Sequence, residues 1–162
     1  DYAGTHYDIT DSPALPKPVQ SPHPPIIIGG GGAKRTPALA ARFAAEFNIP
    51  FVPLDTLSTQ FARVADAVEA AGRPADSIVY SAAFVLCAGR DDDEIARRAS
   101  AIGREVDELR SNSPTVGTPD EIVDKLGPFV EAGVQRVYLQ LLDMSDLDHV
   151  DFFAEAIAPQ LG

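Results

Sequence analysis

Residues 26–36 read IIIGGGGAKRT, and no other stretch limits the fold of this chain so tightly. Three β-branched residues in a row, without polar alternation, predict a strand buried on both faces. Such strands belong to parallel sheets covered by helices. Four consecutive glycines follow. Each loses more backbone entropy on folding than an alanine would, roughly 0.5–1 kcal/mol in an ordered element. A Lys-Arg pair and a threonine then lead into an alanine-rich segment of helical character. The chain must pass from strand to helix through a turn without side chains.

The rest of the sequence repeats that alternation. Thr36–Phe47 is expected to be helical, with Leu39, Phe43 and Phe47 as its core stripe and Pro37 in its first turn. Asn48–Pro53 reads as a short strand. Asp55 is placed to cap a helix whose inward face is Leu57, Phe61, Val64, Ala65 and Val68, ended by Gly72–Arg73–Pro74. Ser77–Ala88 reads as one long strand. The acidic run Asp91–Glu94 suits a helix N-terminus, and Ile95, Ala99, Ile102, Val106 and Leu109 continue that helix. Ser111–Gly117 reads as loop. Thr118-Pro119-Asp120-Glu121 is a capping box with proline at the first helical position. Its helix carries Ile122, Leu126, Phe129 and Val130 and stops at Gly133. A strand at Arg136–Leu142 and a helix at Leu147–Leu161 close the chain. The order β-α-β-α-β-α-α-β-α predicts a parallel α/β fold with helical crossovers. Four βα units fit half of an eight-stranded barrel, and they also fit a small open sheet.

Residues 1–25 differ from the remainder. They hold six of the fourteen prolines and no amphipathic period. They read as a connecting loop preceding an α/β unit at 26–162, and the chain is expected to be a fragment of a longer protein. Its formal net charge of −11 argues against an electrostatic nucleic-acid binder. No apolar run reaches the ~18–20 residues of a membrane helix. The single cysteine, Cys87, cannot form an intramolecular disulfide and suits a reducing, cytoplasmic setting.

In parallel α/β folds the site lies at the C-terminal ends of the strands, where Gly29–Gly32 is expected. Glycines permit close backbone approach, and a helix N-terminus offers N–H groups and partial positive charge. Lys34, Arg35 and the Thr36 hydroxyl add donors. The combination suits an anion, a phosphate above all, and equally describes a tight turn that joins strand to helix. Neither the dinucleotide fingerprint nor the P-loop pattern fits: Lys34 or Arg35 occupies the last glycine position of the first, and no Gly-Lys-Ser/Thr follows for the second.

The segment PKPVQSPHPPIIIGGGGAKRTPALAARFAAEFN resembles the opening of the second half of the bacterial luciferase-like superfamily. TVGTPDEIVDKLGPFVEAGVQRVYLQLLD resembles its closing part, and the likeness extends over Gly4–Leu161. The resemblance implies a (β/α)8 barrel, here only its C-terminal half, from an oxidoreductase using coenzyme F420 or, as the alternative, FMN. It implies hydride transfer to or from a small organic substrate. By the same resemblance Gly30, Gly31 and Gly32 hold the phosphate-bearing tail of the cofactor, with Lys34, Arg35 and Thr36 as extensions. The family's first half, which supplies most ring contacts and catalytic residues, has no counterpart in this chain, so no catalytic residue is assigned and the chain alone is expected to be inert. A half-barrel exposes two sheet edges and one face, which predicts a homo-oligomer. The competing reading is a small non-catalytic α/β module that binds an anion or a protein partner.

Other polar residues carry plainer expectations. His6, His23 and His149 have no second histidine at i+3 or i+4, so no metal site is assigned. Asp143, Asp146 and Asp148 are expected to cap the last helix. Cys87 is expected to be a buried small hydrophobe. Tyr80, Tyr138 and Gln140 are candidates to point into a barrel interior, and Arg97, Arg98 and Arg104 are expected to be solvated.

Overall fold

A computed structural model of the protein describes residues 1–161. Two short strands, β1 (Tyr2–Ala3) and β2 (Asp8–Ile9), form an antiparallel pair within an otherwise irregular, exposed segment up to Pro25. The alternating part follows: β3 (Ile27–Gly29), α1 (Arg35–Phe43), β4 (Glu46–Pro50), α2 (Leu54–Ala70), β5 (Val79–Val85) and β6 (Cys87–Ala88). After these come α3 (Asp92–Ala101), α4 (Val106–Asn112), β7 (Val116–Gly117), α5 (Pro119–Glu131), β8 (Arg136–Gln140) and α6 (Leu147–Ala156). Strands β3, β4, β5 and β8 make one parallel sheet in that order. Strands β6 and β7 pair separately, also in parallel.

Strand alternation sorts the sheet into two unlike faces. Ile28, Phe47, Ile49, Tyr80, Ala82, Phe84, Val137 and Leu139 point to one side, where they join Leu57, Phe61, Val64 and Val68 of α2 and Ile122, Leu126 and Phe129 of α5 in the main core. Edge-to-face contacts link Phe47 to Phe61 and Phe84 to Phe129 at 6.1 and 5.0 Å. The opposite face contributes nothing to that core. It carries a Glu46–Arg136 ion pair, an Asn48 amide donating to the Ser81 hydroxyl at 3.0 Å, and exposed Ile27, Tyr138 and Gln140. A second, smaller core of Cys87, Ile95, Ala99, Leu109 and Val116 sits between β6, β7, α3 and α4.

Several local expectations change. The first helix stops at Phe43, and Phe47 belongs to β4, because the chain turns extended at Ala44. Its buried face is Pro37, Ala40 and Ala41 rather than Leu39 and Phe43, which are 44% and 45% exposed. Small residues face α2 there and let the two helices pack side by side. Strand β3 is not buried on both faces: it is an edge strand, and Ile27 is half exposed. The long strand at 77–88 is broken at Leu86, whose N–H donates to the Gln140 carbonyl, while Cys87 N–H turns to Thr115. The helix expected through Leu109 is two helices, divided at Gly103 with φ +67°. Val116–Gly117, read as loop, is the strand β7. On α2, Asp55 does not cap the helix: Pro53 holds the N-cap position without a side-chain bond, and Asp55 lies in the first turn. Ala65 is exposed, and the polar Gln60 takes a buried place. The last helix ends at Ala156, earlier than expected, with Val150 exposed and His149 inward.

The capping box forms as its sequence predicts. Thr118 N–H donates to Glu121 Oε2 at 2.8 Å, and that bond holds the Glu121 carboxyl below the usual carboxylate range. Asp91 caps α3 by accepting from Glu94 N–H at 2.9 Å. Arg73 does what no local signal announces. Its guanidinium donates to the carbonyls of Ala40, Ala41, Ala44 and Ser77 at 2.9–3.2 Å, closing the C-terminal end of α1 from the far end of α2.

Candidate functional site

The glycine string leaves β3 at its C-terminal end and enters α1. Gly30 has φ +129°, a conformation that only glycine holds without strain. Its N–H donates to the Asn48 carbonyl at 3.3 Å, which ties the loop to β4. A methyl group on Gly32 would come within 2.8 Å of the Thr36 hydroxyl. Gly31 faces open space, and it lines a cleft of about 250 Å³ together with Ile49, Asp55, Thr56, Thr59, Gln60 and Arg63.

Four successive N–H groups here, those of Gly31, Gly32, Ala33 and Lys34, have no hydrogen-bond partner among the described residues. They run into the N-terminus of α1, where Lys34 supplies no side-chain cap and the first turn has no acidic residue. The helix therefore presents its positive end uncompensated. The structure brings Gly30, Gly31, Gly32 and the half-buried Thr36 together. Lys34 and Arg35 stand exposed beside them and form no ion pair among the described residues. In a chain of net charge −11, this is a local concentration of donors and cations.

A second cleft, of about 380 Å³, opens at the same end of the sheet between Phe51, Val85, Arg104, Leu109, Asn112, Ser113, Gln140 and Leu142. Phe51 is half exposed at φ +54°, an unusual conformation for a bulky residue. Gln140 reaches this cleft from the face outside the main core. Tyr138 shares that face, whereas Tyr80 packs on Phe61 at 4.8 Å on the helix side.

The acidic cluster after β8 is structural. Asp146 caps α6 by accepting from His149 N–H at 3.0 Å, and Asp143 accepts from Ser145. Arg98 is 4% exposed, contrary to the solvated position expected for it. It donates to the Ala88 carbonyl at 2.7 Å, Asp146 at 3.0 Å and Asp148 at 2.8 Å, so α3 is fastened to α6 through the end of β6. His149 is buried in the same place, and its Nε2 accepts from Ala88 N–H at 2.9 Å. Burial, reinforced by the Arg98 charge, lowers its pKa to about 4. Burial likewise raises the Cys87 thiol above its ordinary value. Neither Arg98 nor His149 carried a sequence signal, because their partners lie on other elements.

A family model described as luciferase-like monooxygenase matches residues 1–109. The chain belongs to this family. No curated protein matches it by sequence. Among solved structures, the coenzyme F420-dependent tetrahydromethanopterin reductase of Methanopyrus kandleri superposes with a TM-score of 0.67 at 14% identity, covering 85% of this chain and 51% of its own. A monooxygenase from Streptomyces bottropensis gives 0.72 at 18% identity, over 99% and 55%. The oxygenating constituent of 3,6-diketocamphane monooxygenase from Pseudomonas putida, in complex with FMN, gives 0.63 at 19% identity, over 86% and 50%. The luciferase-like chain thus spans about half the length of these structures, and its fold is half of their TIM barrel. The face outside the core, with Glu46, Asn48, Ser81, Arg136 and Tyr138, corresponds to the inward side of such a barrel. Among the described residues no helix is long and apolar enough to cross a membrane.

Proposed function

We propose that this chain is the C-terminal half of an F420-dependent oxidoreductase, with FMN as the alternative cofactor, and that its glycine string holds the cofactor's phosphate-bearing tail. The observation that carries this reading is the run of unpaired N–H groups from Gly31 to Lys34 at an uncapped helix N-terminus. Such a run suits a phosphate: several donors converge without side chains between them, and the helix end favours negative charge. Gly30, Gly31 and Gly32 form the backbone cradle, the Thr36 hydroxyl adds a donor, and Lys34 and Arg35 supply charge. The bound cofactor would furnish hydride transfer to or from a small organic substrate, while these residues bind and orient it. The chain has no residue assigned to the chemical step, and alone it is expected to be inert. The free, buried Cys87 favours a cytoplasmic setting.

The sheet also supports a proposal about assembly. Strands β3 and β8 are its two open edges, both parallel in sense. Two such four-stranded sheets joined edge to edge in a closed pair would supply eight strands, so a homo-oligomer is proposed for the chain by itself.

Titration of the chain with coenzyme F420 and with FMN, followed by fluorescence, tests the functional reading. Binding of either that is lost in the presence of excess inorganic phosphate supports a tail site at the glycines. The same titration on a longer product that carries the first half separates the readings. Binding there with weak or no binding here supports the half-barrel, whereas no longer product and no binding favour a small non-catalytic module.

A further inference from the structure

Gln60 is the one polar side chain of α2 that points into the protein beneath the glycine string, and it is 1% exposed. Its Nε2 donates to the Gly30 carbonyl at 3.3 Å and to the Gly32 carbonyl at 3.0 Å. Its Oε1 accepts from Arg63 Nη1 at 3.2 Å. The amide orientation follows from its partners, since only the NH2 end can serve two carbonyls and only the oxygen can accept from a guanidinium. In a trans peptide the carbonyl of one residue and the N–H of the next lie in one plane and point in opposite directions. Drawing the Gly30 and Gly32 carbonyls onto Gln60 therefore turns the N–H groups of Gly31 and Ala33 away from α2. Both belong to the unpaired set.

We infer that Gln60 is a positioning residue for the phosphate cradle: it fixes two alternate peptide planes of the glycine loop so that the Gly31 and Ala33 N–H groups face the anion. This rests on the proposal that the loop receives a phosphate. Glycines are free to rotate these planes, so a loop of four needs such an external clamp to stay preorganised. Arg63 steadies the clamp from the solvent side.

The test uses the whole chain labelled with 15N and titrated with inorganic phosphate. In the wild type, the Gly31 and Ala33 amide resonances are expected to move on phosphate addition. The Gln60 side-chain amide protons are expected to exchange at least tenfold more slowly than those of exposed Gln20. In Gln60→Leu, phosphate affinity is expected to fall at least tenfold, with amide dispersion elsewhere retained. Gln60 protons that exchange as fast as those of Gln20 overturn the inference whether or not the variant folds. Phosphate bound at Gly31 and Ala33 equally well by Gln60→Leu overturns the role of Gln60 and leaves the cradle standing. No phosphate-dependent shift at residues 31–34 in the wild type overturns the cradle and the inference with it.

Discussion

At the scale of single residues, the four glycines divide the work unequally. Gly30 meets a conformational demand, Gly32 a steric one from Thr36, and Gly31 neither. Gly30→Ala is expected to destabilise the chain by about 1–3 kcal/mol, measured by urea denaturation. Gly31→Val is expected to leave the melting temperature nearly unchanged while abolishing binding of the cofactor tail, because a branched side chain would crowd the unpaired N–H groups of the loop. His149 makes a different prediction. Its folded pKa of about 4 lies below the ordinary value of 6.5, so the unfolded chain takes up a proton first as pH falls. Stability from this group is complete above about pH 6.5 and drains away between there and pH 4, by on the order of 3 kcal/mol. His149→Gln should flatten that part of the stability–pH curve. The glycines were legible because strand, turn and helix chemistry lie within eleven letters. Gln60 was not, since the carbonyls it holds are 30 and 28 positions away. Arg98 and His149 were hidden in the same manner.

Among elements, the sequence was most readable where a terminus carries its own chemistry. The Thr118 capping box and the Asp91 cap both form, and Thr118→Ala is expected to cost about 1 kcal/mol in thermal or urea unfolding. Boundaries set by packing were less readable. Leu39, Phe43 and Phe47 share a spacing of four, which mimics a helical stripe. Yet α1 buries alanines against α2, and Phe47 reaches the core from a strand. The division of 77–88 at Leu86 has no letter that announces it, because it arises from two different partners, Gln140 and Thr115. Arg73 belongs to this scale too. It supplies at a distance the C-terminal cap that α1 lacks locally, so Arg73→Met is expected to lower stability by about 2–3 kcal/mol, as hydrogen bonds to a charged group do.

For the whole molecule, the two faces of the sheet set the expected behaviour. The face outside the core bears an ion pair, an amide–hydroxyl bond and exposed tyrosine and glutamine, so it resists nonspecific apolar sticking. The open edges remain, and light scattering at low micromolar concentration is expected to show a discrete oligomer. A monodisperse monomer would contradict the proposed assembly. The parallel α/β class was legible from the alternation of elements, whereas the inequality of the faces needed register across strands. That register has a kinetic consequence. Strand β4 joins β3 across a single helix, but β5 pairs with β8 at a sequence separation of 55, so the whole chain between them must first be gathered in. Closing so long a loop is slow and brings little reward until it is finished. The β3–β5 portion should therefore gain amide protection first in pulse-labelled refolding, and β8 last, leaving the Tyr80–Gln135 junction as the final seam to be sewn.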